Sequence, residues 1–344
     1  MAQINKSSEY FNTVLWTGNA TDNRSITGVN FKPDLVWYKE RSSTSWHNLQ
    51  DVVRGTGKQI HSNSTDSETT NNGTIKAFET DGFQIGTEAD INESGQTYVA
   101  WNWLASNTTA SNTAGSITST VSANTTSGFS IVTYTTSSSG TDTIGHGLGV
   151  KPDVLITKSR DNTYNWDILH KSINDDGVGR MTFTTNGYLT GSNPYASTTP
   201  TSSVFSFSAD FYGASNNVTY CFAEKKGFSK FGKYIGNGSS DGTFVYTGFK
   251  PAFILIKCTS TTTNWLMRDN KRDPFNESIT PLSPNLNLGE SSFTPSINEV
   301  DILSNGFKLR DTYVDQNQSG STYIYMAFAE NPLVGTNNIP ATAR

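Results

Sequence analysis

The chain has 344 residues, enough for two or three domains that each bury a core. Lys+Arg 25 against Asp+Glu 30 gives a formal net charge of -5, and no basic run exceeds the pair Lys225-Lys226, which excludes an electrostatic nucleic-acid footprint. Charged residues are only 16% and aromatics reach 12%, so Asn, Ser, Thr and Gly carry solubility; that mixture suits short strands and polar turns and excludes long amphipathic helices.

In chain order, the first ten residues, Met1 to Tyr10, hold no apolar core of signal-peptide length, which implies assembly in the cytoplasm of the producing cell. No run of eighteen apolar residues follows, so no membrane insertion is expected. Next comes the block Gly28-Val-Asn-Phe-Lys-Pro33-Asp-Leu-Val-Trp-Tyr-Lys39, which returns as Gly147-Leu-Gly-Val-Lys-Pro152-Asp-Val-Leu-Ile-Thr-Lys158 and again as Gly248-Phe-Lys-Pro251-Ala-Phe-Ile-Leu-Ile-Lys257. Each reads as a turn, a proline and a buried strand, because proline can open a strand but not sit in its middle.

An aromatic precedes each proline: Trp16, Tyr134 and Tyr234, by 17, 18 and 17 residues. A tryptophan follows each, Trp46, Trp166 and Trp265, at 13, 14 and 14 residues, and each unit closes on an aromatic strand ending at Trp103, Phe222 or Phe328. The turn-plus-aromatic triplets Asp81-Gly82-Phe83, Asn186-Gly187-Tyr188 and Asn305-Gly306-Phe307 complete the frame as expected hairpins. A repeated unit of this kind predicts an all-β chain of three tandem antiparallel β-sandwiches, jelly-roll or lectin-like in style.

The frame sets expected boundaries: repeat 1 over 1–104, a flexible polar linker over 105–116, repeat 2 over 117–226, repeat 3 over 227–330 and an extended tail over 331–344. Repeats 2 and 3, joined by only Glu224-Lys225-Lys226-Gly227, are expected to pack together. The linker suggests instead that repeat 1 anchors while the others reach outward.

Candidate chemistry is sparse. Cys221 and Cys258 stand among β-forming residues without metal-ligand spacing and read as buried free thiols. The histidines, His47, His61, His146 and His170, join no hydrolytic or metal motif, and no acidic residue recurs in all three copies, so a non-enzymatic role is expected. Trp46, Trp166 and Trp265 are candidate glycan-stacking residues, with common packing sites as the simpler reading. Asp90-Ile-Asn92-Glu-Ser94-Gly95 and Asp315-Gln-Asn317-Gln-Ser319-Gly320 place oxygens at alternate positions like the opening of a calcium loop. The closing acidic ligand is missing, so Asp90, Asn92, Ser94, Asp315, Asn317 and Ser319 are weak calcium candidates, an Asx-type turn is the cheaper account, and no other cofactor is expected.

The strings Glu9-Tyr10-Phe11-Asn12-Thr13, Asp51-Val-Val-Arg54-Gly55, Ala223-Glu224-Lys225-Lys226-Gly227-Phe228-Ser229-Lys230-Phe231 and Ala327-Phe328-Ala329-Glu330-Asn331-Pro332 are long enough to be specific. With them the chain resembles a β-repeat family of poorly characterised structural proteins encoded by tailed phages of marine and other aquatic bacteria. The resemblance implies a virion component that contacts other virion proteins, a homo-oligomer (trimer or ring), and transfers no catalytic residue. A tail fibre or tail-associated appendage meeting a host surface glycan is the expectation, a capsid decoration or cement protein the alternative, and a carbohydrate-active enzyme with accessory modules a remote one.

Overall fold

A computed structural model describes residues 3–173, 179–191, 193–195, 198–292 and 299–334. Three equivalent four-stranded antiparallel units dominate it. Repeat 1 supplies β1 (Phe11–Thr17), β2 (Leu35–Glu40), β3 (His47–Asp51) and β4 (Thr97–Trp103), ordered β1-β4-β2-β3. Repeat 2 supplies β5 (Phe129–Thr135), β6 (Val154–Ser159), β7 (Asp167–His170) and β8 (Asn216–Phe222), ordered β5-β8-β6-β7. Repeat 3 supplies β9 (Ser229–Ile235), β10 (Phe249–Cys258), β11 (Trp265–Asp269) and β12 (Thr322–Pro332), ordered β9-β12-β10-β11. The registers coincide as well: Leu35 lies opposite Trp103, Val154 opposite Phe222 and Phe253 opposite Phe328.

Each large sheet is covered on its outer face by a small one. The small sheets comprise strands 24–27, 75–79 and 82–85 in repeat 1, 141–145 and 204–208 in repeat 2, and 244–246, 300–303 and 306–309 in repeat 3. Period-two alternation then sorts the side chains. Val36, Tyr38, Tyr98 and Ala100 meet Ile26, Ile75, Phe83 and Ile85 in a core private to repeat 1. Leu155, Leu169 and Cys221 meet Phe205 and Phe207 in repeat 2, and Ile254, Ile256, Tyr323 and Tyr325 meet Val300, Ile302 and Phe307 in repeat 3. Both cysteines are free and buried in these private cores, as expected.

The opposite faces of the three large sheets turn inward onto a single shared core. Trp37, Trp101 and Trp103 from repeat 1, Ile156, Tyr220 and Phe222 from repeat 2, and Phe253, Leu255, Met326 and Phe328 from repeat 3 belong to one cluster. Phe328 touches Phe11 and Trp103 at ring-centroid distances of 5.3 and 5.6 Å, Phe222 at 5.8 Å and Phe253 at 6.2 Å, so every repeat reaches it. Towards the other end Phe183 meets Trp37, Trp166 and Trp265 at 5.7, 5.8 and 5.2 Å, again one from each repeat. This sandwiching on both faces explains why the strand after each proline is continuously buried and not alternately exposed.

Two expectations change here. The stretch expected as a flexible linker, 105–116, contains a strand, Ala110–Asn112, paired with Ser119–Asn124 at the edge of the repeat 2 sheet. Its start is latched by the buried Asp34 carboxylate, which accepts hydrogen bonds from the backbone N–H groups of Ala105 and Asn107. With the repeats locked around one core, an anchored repeat 1 and two freely reaching neighbours is not the arrangement. Repeats 2 and 3 do pack together, but so do 3 and 1. Second, Asp81-Gly82 and Asn305-Gly306 turn tight hairpins, where a Cβ on either glycine would fall 1.9 or 2.0 Å from the Ile26 or Val245 carbonyl oxygen of the adjacent strand. Asn186-Gly187-Tyr188 lies in the wider loop between the antiparallel strands Gly179–Thr182 and Leu189–Thr190, a hairpin without the tight turn. The Tyr188 N–H instead bonds to the Thr259 carbonyl at 2.9 Å across the seam between repeats 2 and 3, the place that Glu68 and Glu290 hold at the other seams. Of the expected tail, residues 331–334 continue and follow β12, and the remainder lies outside the described residues.

Candidate functional site

The three recurring tryptophans part company at one residue of spacing. Trp265 pairs with Lys257, and Trp166 stands one step beyond the Thr157–Asp167 pair, opposite Lys158; in repeat 1 the residue opposite Lys39 is His47. Trp46, one position earlier, therefore points to the other face, as a period of two requires. Trp166 and Trp265 are 1% and 2% exposed in the shared core, while Trp46 is 39% exposed and stacks on the His61 ring at 5.0 Å. The spacing of 13 where the other copies have 14 carried that signal. Trp166 and Trp265 also lock seams: their indole N–H groups donate to the His61 carbonyl at 2.8 Å and to the Thr182 carbonyl at 2.9 Å, each in the preceding repeat.

The lysines that close the repeated blocks are buried and structural. Lys158 Nζ donates to the Thr65, Asn162 and Tyr164 carbonyls, and Lys257 Nζ to Thr185 and Thr263, so each holds its own loop and the preceding repeat. Lys39 Nζ binds the Glu40 and Ser43 carbonyls. Burial pulls all three ammonium groups down to a pKa of about 8.

Two of the three seams carry matching charge relays. Between repeats 1 and 2, Arg54 binds Asp51, Glu68 and the Tyr220 hydroxyl, and Arg160 clamps Glu68 with two hydrogen bonds of 2.8 and 3.0 Å. Between repeats 3 and 1, Arg272 binds Asp269 and Glu290, Arg41 binds Glu290 at 2.8 Å, and the Trp101 indole donates to Asp269 at 3.0 Å. Burial pulls the Arg54 guanidinium down, but Asp51, Tyr220 and Glu68 outweigh it and the group is held above its ordinary value. At the seam between 2 and 3 the same places hold His170, Ile173, Tyr188 and Thr259. Burial takes His170 down to about 4, and its Nε2 lies 3.2 Å from the Tyr325 carbonyl. Burial likewise pulls the His47, His61 and His146 imidazoles down.

The alternate-oxygen turns brace backbone. Asn92 is buried, accepts from the Asn19 N–H and donates to the Thr21 and Gly86 carbonyls at 2.9 and 2.8 Å. Asn317 accepts from the Asn237 N–H and donates to the Ser239 and Asp311 carbonyls. Asp90 takes the Ser45 hydroxyl at 2.8 Å and Asp315 the Asn264 N–H at 3.2 Å, fixing the loops ahead of β3 and β11. Ser94 and Ser319 are exposed. These bonds reach mostly to distant backbone and not to the residue two positions on, as an Asx turn would; the Asn92 and Asn317 amide donors pair with carbonyl acceptors where a cation would need oxygens alone. Among the described residues no cluster of three or more His, Cys, Asp or Glu is gathered as for a metal.

Where all three repeats meet at one end lies an open bowl of about 240 Å³. Asn63, Ser64 and Thr65 come from repeat 1, Asn165, Thr184 and Thr185 from repeat 2, Asn285 and Leu286 from repeat 3, with Trp166 and Phe183 at its base. The loop anchors are symmetric: Asn63 Oδ1 takes the His47 N–H and Asn285 Oδ1 the Trp265 N–H, both at 2.9 Å. Asn63 Nδ2 and the Asn165 side-chain amide have no protein partner among the described residues. No charged residue lines the bowl. Two partly exposed aromatics belong to the adjoining loops: Tyr164, next to Asn165 and stacked on Tyr212 at 4.7 Å, and Trp46, stacked on His61 and next to His47, whose N–H Asn63 holds. Of this bowl only Trp166 was singled out in the sequence, because its lining converges from loops more than 200 residues apart.

No curated protein matches the chain. A family described as a domain of unknown function (DUF7483) matches residues 6–332, across all three repeats, and the chain belongs to that family.

Proposed function

We propose that the chain is a non-enzymatic phage virion protein, a tail-associated appendage whose bowl at the three-repeat junction binds a neutral glycan of the host surface. The bowl carries this reading: the side-chain amides of Asn63 and Asn165 and the hydroxyls of Thr65 and Thr185 above an aromatic base, with partly exposed Trp46 and Tyr164 in the adjoining loops, offer the hydrogen bonds and ring faces that a sugar uses and no charge. The shared core adds support, since it fixes the loops of three repeats relative to one another and presents the bowl pre-formed. The virion setting rests on the family resemblance described above.

Glycan-array binding of the purified chain tests the reading. Neutral oligosaccharides are expected to bind, and Asn165→Ala with Trp46→Ala is expected to weaken binding about tenfold or more while the protein stays folded. Retention of full binding by that folded double variant removes the bowl as the site.

A further inference from the structure

A second cleft, of about 590 Å³, opens at the seam between repeats 2 and 3. Repeat 2 contributes Lys151, Asp153, Glu224, Lys225 and Lys226; repeat 3 contributes Ser229, Lys230 and Tyr246 to Gly248. Its two carboxylates are already engaged. Glu224 binds Lys171 at 2.6 Å, Lys230 at 3.3 Å and the Phe231 N–H, while Asp153 accepts the Glu224 N–H at 2.7 Å and lies 3.4 Å from Lys171. Among the described residues four lysines line the cleft with these two acids, and Lys171 and Lys230 are the ones paired with them, while Lys151 and Lys226 are exposed.

The internal repeat supplies a control for whether the fold needs these lysines. The corresponding seam between repeats 3 and 1 also forms a cleft, of about 220 Å³, lined by Phe11, Asn12, Asn30, Ala252, Asn270, Lys271, Glu330 and Asn331. In the common register, Lys171, Lys225, Lys226 and Lys230 become Asn270, Asn331, Pro332 and Asn12 there. At the seam between repeats 1 and 2 they become Val52, Ser106, Asn107 and Ser130. Glu224 has a carboxylate counterpart in Glu330, and Lys151 has lysine counterparts in Lys32 and Lys250, the latter paired with Glu330 at 3.2 Å; the other four lysines have no basic counterpart at either seam. Packing of the fold is satisfied without those four, and of them Lys226 is exposed on the cleft and special to it, beside the shared and exposed Lys151.

The cleft is too large for a lone small anion. The Tyr246 ring, 58% exposed, stands on its wall, with the Ser229 and Thr247 side chains beside it. We propose that this cleft binds an acidic saccharide, its carboxylate or sulfate groups on Lys151 and Lys226 and a sugar face on Tyr246. The site is separate from the neutral bowl and does not depend on it.

Isothermal titration calorimetry of the full chain at low salt tests this with four probes: an oligogalacturonate hexamer, a carrageenan hexamer, maltohexaose and inorganic sulfate. One or both acidic hexamers are expected to bind, more weakly as salt rises, with the better of the two identifying carboxylate or sulfate as the recognised group. Lys151→Gln with Lys226→Gln is expected to weaken that binding about tenfold or more, Tyr246→Ala to weaken it about threefold or more, and Lys233→Gln, an outward lysine of β9, to leave it unchanged. Folding of the variants is checked by an unchanged melt, and Asn165→Ala, in the bowl, should leave acidic binding intact. The proposal is overturned if neither acidic hexamer binds, if maltohexaose binds equally in this cleft, if sulfate alone binds as tightly as the hexamers, or if the double variant binds like the wild type.

Discussion

Trp166→Ala and Trp46→Ala should differ sharply although the two residues look like the same feature of a repeat. Trp166 is 1% exposed, packs against Phe183 and Tyr220, and donates to the His61 carbonyl of the preceding repeat. A fully buried indole covers roughly 200 Å², worth about 5 kcal/mol at ~25 cal/mol per Å², and measured large-to-small changes of this kind run at about 3–5 kcal/mol. The lost seam hydrogen bond adds about 1 kcal/mol. Trp46 stacks on His61 but is 39% exposed, and its removal should cost about 1.5 kcal/mol or less. Equilibrium unfolding in guanidinium chloride, followed by both tryptophan fluorescence and far-ultraviolet circular dichroism, reads the two costs. Because the repeats share one core, both probes should report one coincident transition, which Trp166→Ala moves as a whole. Equal costs for the two variants would refute the register argument, and a separate early transition confined to repeat 2 would refute the shared core.

Three further outcomes follow from the same contacts. Arg54→Met leaves the Asp51 and Glu68 carboxylates without their buried partner and should cost about 3–5 kcal/mol in the same assay, whereas a cost below about 1 kcal/mol would deny the relay any structural role. The buried lysines give a pH signature: folded near a pKa of about 8 against an ordinary 10.5, they bind fewer protons than in the unfolded chain between those values, so their contribution rises as pH climbs from 8 and is lost as pH falls through 8. Each adds about 1 kcal/mol between roughly pH 8.5 and 9.5; Cys221, whose thiol burial pushes up, works in the opposite direction, so the readout is the shallower slope of Lys158→Met relative to wild type, and equal slopes would contradict it. Excess chelator should leave the melting temperature unchanged if Asn92 and Asn317 brace backbone as described, and a fall of several degrees would show that their loops hold a cation.

The repeat, its strand after each proline and the all-β class were legible because proline, turn glycines and aromatics recur in a fixed frame. The triplet of repeat 2 sits in a hairpin loop but not in a tight turn, because Asn-Gly is written identically whether it turns a chain sharply or lets one backbone approach another, as Gly187 does against Thr259 and Thr261. The apparent linker misled for a compositional reason: Ser, Thr and Asn fill solvent-facing edge strands as readily as loops, and Ala110–Asn112 is such an edge. The shared core had a signal that could have been weighed more heavily. Uninterrupted runs such as Phe253-Ile-Leu-Ile256 are more apolar than a two-layer sandwich with one wet face requires, and they point to strands buried on both sides. The bowl had no such signal, since it is assembled from loops that only the closure of three sheets around one core brings together, whereas the lysine cleft left the basic pair Lys225-Lys226 as its one mark in the sequence.

Cryo-electron microscopy of a phage particle that carries this chain, the proposed setting, with the chain located in the map, tests the proposed function most directly. The account predicts density for the chain on a tail appendage with the bowl of Asn63, Asn165 and Asn285 facing outward. Density spread over the capsid lattice, or a bowl end buried against another virion protein, would contradict it.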